Sequence, residues 1–200
     1  MAIDGGYGSA HLGGTGGAQG IVQRFRIAFR FGASTVTGAM STIDKVLTAE
    51  QLPQWREALR QSGRRLVVTN GCFDLLHVGH VHYLEEARSL GDALLIGVNG
   101  DASVRQLKGP ERPLNNEFDR ARVLAALGCV DGVVIFPEVR ANQFLAQSAP
   151  DIYVKGGDYT LETINQDERR AVEGGGGRIA FLKFVEGKST TGLIAKIQRL

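Results

Sequence analysis

The chain has 200 residues, of which 43% are apolar, 22% are charged and 27 are glycine, with a formal net charge of +2. That length suits one packed core plus an appendage, and the composition is too ordinary for collagen, a disulfide scaffold or wholesale disorder. Residues 1–40 hold Arg24, Arg26 and Arg30 against the single acid Asp4, so of 23 basic and 21 acidic side chains the remainder keeps 20 of each, and a neutral body lacks the clustered positive charge that nucleic acid or an anionic membrane surface requires.

Ten of the glycines fall in residues 1–40. Residues 1–20 carry almost no large apolar side chains and bury too little to offset the entropy of ordering, so the sequence predicts disorder there. IVQRFRIAFRFG at 21–32 alternates apolar and basic residues briefly, which is weak ground for an edge strand or an anion contact. Residues 1–40 read as an N-terminal extension that an upstream start codon would explain, and residues 41–200 as the folded domain.

From Thr48 the punctuation is regular. Thr48-Ala-Glu-Gln51 fits a capping box ahead of LPQWREALRQS, and Gly63 stands where that helix ends. Arg65–Thr69 reads as a strand buried on both faces, Val78–Leu90 as a helix closed by Gly91, and Ala93–Val98 as the next strand. Asn116 caps the helix EFDRARVLAAL, Gly128 closes it, and Val130–Phe136 is a third strand. Helix Arg140–Ser148, strand Asp151–Lys155, helix Ile164–Glu173, strand Arg178–Lys183 and helix Thr190–Gln198 complete the series. Such alternation predicts an α/β, Rossmann-like, doubly wound parallel sheet of about five strands. Cys72 and Cys129 are the two cysteines and read as reduced thiols, and no apolar run nears the ~20 residues of a membrane span, so a cytoplasmic location is expected.

In a parallel sheet, ligands bind beyond the carboxyl ends of the strands, and the first strand runs into Asn70-Gly-Cys-Phe-Asp-Leu-Leu-His-Val-Gly-His80. Gly71 permits close backbone approach, and Gly79 opens a helix whose free N–H groups favour phosphate. His77 and His80, three apart, share one side of that helix and aim two donors at its N-terminus. The plain alternative makes them polar caps. A zinc site from Cys72, His77, His80 and His82 is the rival reading, set aside because no second ligand pair follows and His80 and His82 point different ways. His82 then reads as a surface or packing residue, Cys72 as a small buried one, and His11 has no role.

The run Thr69-Asn-Gly-Cys-Phe-Asp-Leu-Leu-His-Val-Gly-His80 resembles the signature of the cytidylyltransferase-like nucleotidyltransferases, which carry an HxGH motif on a Rossmann-like fold. Val98-Asn-Gly-Asp101, Leu107-Lys-Gly-Pro-Glu-Arg-Pro113, Val154-Lys-Gly-Gly-Asp-Tyr159 and Ser189-Thr-Thr191 are similar to the adenylyltransferase half of the bacterial heptose enzymes, over roughly residues 43–200. The sugar-kinase half of the bifunctional relatives has no counterpart, so a free-standing adenylyltransferase is expected. Gly100 replaces a serine common in the family, and Lys188 stands where relatives differ.

This resemblance implies transfer of AMP from ATP to D-glycero-β-D-manno-heptose 1-phosphate, with pyrophosphate released. His77, His80 and Lys108 would be catalytic. Asn70, Gly71, Cys72, Phe73, Gly79, Lys155, Gly156, Asp158, Tyr159, Ser189, Thr190 and Thr191 would hold the nucleotide. Asp74, Asp101, Arg112 and Arg120 would face the sugar phosphate. Bland alternatives stand beside these roles: loop fixing for Asp74, an exposed helix position for Arg120, a solvated loop for Lys108 and Arg112, and helix capping for 189–191. Magnesium is expected to arrive with the triphosphate rather than in a cage of side chains. The expected partners are ATP and a small sugar phosphate, with no nucleic acid and no membrane, and a homo-oligomer is a family expectation. A cytidylyltransferase for glycerol 3-phosphate and a nucleotide-binding sensor without turnover are the alternative functions.

Overall fold

The structure, a computed structural model, describes residues 41–183 and 190–199. The expectations for residues 1–40 and for Ser189 lie outside the described residues. After a short 3₁₀ turn at Thr42–Lys45, the described chain runs through strands β1 (Val46–Leu47), β2 (Leu66–Gly71), β3 (Ala93–Asn99), β4 (Gly132–Phe136), β5 (Ile152–Gly156) and β6 (Arg178–Leu182). The helices between and after them are α1 (Leu52–Gln61), α2 (Val78–Ser89), α3 (Asp101–Lys108), α4 (Glu117–Ala125), α5 (Asn142–Ser148), α6 (Gln166–Gly174) and α7 (Thr190–Ile197).

All six strands are parallel, in the order β1-β4-β3-β2-β5-β6. The doubly wound sheet read from the alternation is therefore present, with one strand more than the five expected. That strand, Val46–Leu47, pairs with β4 at the sheet edge and is too short to leave a periodic signal. Helix α3 is a second addition: only its two ends, Asp101 and Leu107–Lys108, fall in the sequence motifs, and residues 102–106 between them have no predicted element. The Thr48–Gln51 box forms as anticipated, since Thr48 N–H donates to Gln51 Oε1 at 2.9 Å and Gln51 N–H to Thr48 Oγ1 at 3.3 Å.

Each strand face has its own helical cover. Val67, Leu94, Ile96, Val98, Val133 and Val154 pack with Tyr83, Leu84 and Ala87 of α2 and Ala121 and Leu124 of α4. On the opposite face Gly97 leaves room for Phe144 of α5, where an added Cβ would lie 2.5 Å from the ring, and Gly132 stands beneath Trp55 of α1. Burial on both sides explains why β3 is apolar almost throughout and buried at all seven positions.

The winding also sets where a ligand goes. From β2 the chain moves outward through β3 and β4, then returns to the other side of β2 for β5 and β6. The reversal opens a crevice at the carboxyl ends of β2 and β5, where such sheets bind ligands.

Candidate functional site

Strand β2 ends at Gly71, the chain turns through residues 72–76, and His77 is the N-cap of α2. Phe73 makes that turn with a positive φ of 47° and a buried ring. The ring crowds the Gly71 Cα so closely that a Cβ there would sit 3.1 Å from it. The first turn of α2 then stacks the His77 and His80 rings, with centroids 4.0 Å apart and planes 30° from parallel. Phe73 meets the edge of the His80 ring at 5.6 Å. Gly79 lies buried between the two histidines in sequence, so the free amide end of the helix and both imidazoles occupy one corner of the crevice.

His77 N–H points at His80 Nδ1 across 3.4 Å. That geometry assigns Nδ1 as the acceptor and leaves the proton on Nε2, the atom free to donate to a ligand. Burial, followed by the charge of His77, lowers the His80 pKa from 6.5 to about 4. At neutral pH its ring is an uncharged donor.

This depressed value makes a stability prediction. Between pH 6.5 and pH 4 the unfolded chain protonates this imidazole and the folded chain does not, so stability falls as pH falls through that window. From pH 7 to pH 5 the wild type should lose about 1 kcal/mol more than His80→Gln, after discounting for the ring's partial exposure. Urea unfolding at the two pH values checks it, and equal losses would contradict the assignment.

On the other side of the turn, Asp74 is buried and its carboxylate is occupied. It accepts from Arg112 Nε at 2.5 Å, Leu114 N at 2.8 Å and Asn115 N at 3.0 Å, while Asn115 Nδ2 donates to the Asp74 carbonyl at 2.8 Å. Burial pushes this carboxyl up, and the amides of Asn115 and Leu114 together with Arg112 pull it further down, leaving it below the ordinary range. Of the two roles open to Asp74, the contacts display loop fixing.

Arg120 is 2% exposed, which rules out the surface helix position that was its plain alternative. Its guanidinium donates to the carbonyls of Asn115 (2.9 Å), Cys72 (2.5 Å) and Asn99 (2.8 Å) and to Asp101 Oδ1 (2.7 Å). Those four bonds tie the histidine turn, the end of β3, the start of α3 and the α3–α4 loop to one side chain, which braces them together.

Across the crevice, Asn70 Oδ1 accepts from Tyr153 Oη at 2.7 Å and from Lys155 Nζ at 3.2 Å. Glu168 of α6, which the sequence reading passed over, lies 3.1 Å from Lys155 Nζ and accepts from Tyr153 Oη at 3.0 Å. Lys155 also stands 5.3 Å from the Tyr153 ring centre and 6.0 Å from that of Tyr159. Lys155, Tyr159, Glu168, Arg140, Thr163 and Asn165 line a cavity of about 230 Å³. Gly156 ends β5, and Asp158 is exposed beside it. An isolated acid in a polar helix carries no sequence signal; only the return of α6 beside β5 gives Glu168 its partners.

Two more segments reach the site. Thr190 Oγ1 donates to the Leu75 carbonyl at 3.2 Å, so the start of α7 lies on the histidine turn, with Thr191 exposed next to it. Lys108 ends α3 in an exposed position, and its charge acts on Cys72, whose thiol burial raises while Lys108 and Arg120 pull it down. Cys72 and Cys129 are both free thiols, half-buried rather than buried. His82 is exposed. The zinc alternative finds no support among the described residues, where no three His, Cys, Asp or Glu side chains gather closely enough to hold a metal.

A family model described as cytidylyltransferase-like matches residues 68–180, more than half of the chain. The chain belongs to the cytidylyltransferase-like family. The match runs from β2 to β6 and so contains the histidine turn, the Arg120 brace and the Lys155 network. Among its relatives, the bifunctional protein HldE of Geotalea uraniireducens (strain Rf4) is 53% identical over 154 residues, covering 77% of this chain and 31% of that protein. The bifunctional protein HldE of Syntrophotalea carbinolica (strain DSM 2380 / NBRC 103641 / GraBd1) is 50% identical over 159 residues, covering 80% and 32%. The chain thus spans about a third of the length of these relatives. A crystal structure of the lipopolysaccharide core biosynthesis protein from Thermoplasma volcanium GSS1 is 27% identical, with a TM-score of 0.52, and covers 63% of this chain and 100% of that one. The motifs at 69–80, 107–113 and 154–159 thus lie in a cytidylyltransferase-like domain. No helix among the described residues is long and apolar enough to cross a membrane.

Proposed function

We propose that this chain is an adenylyltransferase that transfers AMP from ATP to D-glycero-β-D-manno-heptose 1-phosphate. The observation that carries the reading is the stacked His77–His80 pair at the N-terminus of α2, inside the crevice where the sheet reverses. The likeness to the HldE proteins over three quarters of the chain supports the choice of nucleotide and sugar.

A sugar phosphate is already an anionic nucleophile, so the site needs no base to activate it. Its oxygen attacks the α-phosphorus in line, the new O–P bond forms as the bond to the bridging oxygen breaks, and pyrophosphate leaves with that electron pair. What the protein adds is alignment and donors placed where negative charge develops. Neutral His80 offers Nε2–H to a phosphate oxygen, His77 stacks beside it, and the amides of the first α2 turn face the same anion. Lys108 and Arg112 bring positive charge to the phosphates, and Ser189, Thr190 and Thr191 hold the β- and γ-phosphates. Asn70, Lys155, Asp158 and Tyr159 contact the nucleoside across the crevice. Magnesium arriving with the triphosphate would supply further charge neutralisation.

Pyrophosphate release measured for ATP and CTP against heptose 1-phosphate and glycerol 3-phosphate tests the reading. The ATP and heptose 1-phosphate combination should exceed every other by at least about tenfold, the lower end of the discrimination that differences in pocket contacts produce. Turnover with CTP and glycerol 3-phosphate instead would identify the cytidylyltransferase alternative. ATP binding without pyrophosphate release from any pair would identify a sensor.

A further inference from the structure

The Asp74 carboxylate has a use that loop fixing alone does not explain. Its side chain is 2% exposed, yet it holds Arg112, itself 19% exposed, by the Nε edge only. Neither Nη group of Arg112 bonds another described residue. A guanidinium gripped at Nε keeps its Nη–Nη edge in a fixed plane, and that remaining edge can meet two phosphate oxygens at once. Two backbone amides, of Leu114 and Asn115, close on the same carboxylate, and Asn115 Nδ2 donates to the Asp74 carbonyl, so the loop from Arg112 to Asn115 cannot swing without breaking these bonds to Asp74. Arg120 secures the same loop through the Asn115 carbonyl and the histidine turn through the Cys72 carbonyl.

We infer that Asp74 is a positioning residue that presents the Nη edge of Arg112 to the phosphate of the acceptor. The inference rests on the adenylyltransferase reading only for the identity of that acceptor. It replaces a direct Asp74–sugar contact, because an anion facing a buried carboxylate would be repelled, whereas an arginine oriented by it is a receptor. The loop joins the histidine turn through Asp74 itself, so Arg112 is held at a set distance from the imidazole pair.

Steady-state kinetics of Asp74→Asn, Arg112→Ala and the double variant test this, with each substrate varied at saturating partner. Asp74→Asn should raise the acceptor KM about tenfold, with the KM for ATP within twofold of wild type. Arg112→Ala should do the same, and the double variant should be no worse than Arg112→Ala alone, because Asp74 acts through that arginine. Additive losses, or equal rises in both KM values, would overturn the proposal. Should Asp74→Asn fail to fold, Arg112→Lys keeps the charge without the fork and must also raise the acceptor KM; an unchanged KM would overturn it too. A wild type inactive with heptose 1-phosphate would count against the adenylyltransferase reading alone. Titration of the same folded proteins with inorganic phosphate then decides the inference, which requires weaker binding in each variant than in wild type.

Discussion

His80→Ala is expected to lower kcat by about a thousandfold while the Kd for ATP rises less than about tenfold. The asymmetry follows from where the ring sits. His80 is held by its Nδ1 contact with the His77 amide and by its stack on the His77 ring, so its Nε2–H is preorganised toward one spot in the crevice. A fixed donor helps most when charge accumulates on the phosphate in the transition state, and removing one such donor from an enzyme site costs about 10²–10³ in rate. Ground-state ATP keeps the helix amides and the other contacts across the crevice. Single-turnover kinetics beside equilibrium ATP binding separates the two quantities. A variant that loses affinity and keeps kcat would show that His80 only binds. His80→Gln, which retains an N–H near the position of Nε2, should recover part of the lost rate.

Arg120→Ala should destabilise the folded domain by about 3–5 kcal/mol, the usual cost of removing one partner from a buried charged network. Three carbonyls and the Asp101 carboxylate lose their donor together, and the Asn99 carbonyl lies in a part of the chain closed to water. A domain of this size should melt about 10 °C lower. Urea unfolding and a thermal scan measure both. A loss below about 1 kcal/mol would mean that water takes over the orphaned acceptors and that the brace is dispensable. Activity should fall with stability, because the side chain joins the turn leading to His77 and His80 to α3, which ends at Lys108, and to the loop bearing Arg112. Arg120→Lys supplies one point charge in place of a planar fork with four acceptors around it, and is expected to rescue little.

Much of the site was legible because its chemistry is local. The histidines three apart, Gly71 at a strand end and Gly79 in the first helical turn lie within ten residues, and their relation depends only on a strand running into a helix. The sheet class was legible for the same reason: strands β2 to β6 are short, largely apolar runs, and two helices carry capping side chains, Asn116, which accepts from Asp119 N–H, and Asn165, which accepts from Asp167 and Glu168 N–H. Two elements were not legible: β1, whose two residues are too short to carry a period, and α3, which has no side-chain cap and whose ends coincide with the Val98–Asp101 and Leu107–Pro113 motifs.

The sequence alone therefore determined the alternation of elements, the parallel sheet and the paired imidazoles, because these depend on neighbours along the chain and on the period of apolar residues. Only the tertiary structure decided what the charged residues do. Arg120 looks like an ordinary polar helix position, and its burial follows from α4 packing against β3 and β4, which brings the side chain to the carbonyls of Cys72, Asn99 and Asn115. Asp74 and Arg112 are 38 residues apart and Lys155 and Glu168 are 13 apart; neither spacing predicts a pair. A charge finds its partner by where the chain returns in space, and spacing along the sequence does not record that return.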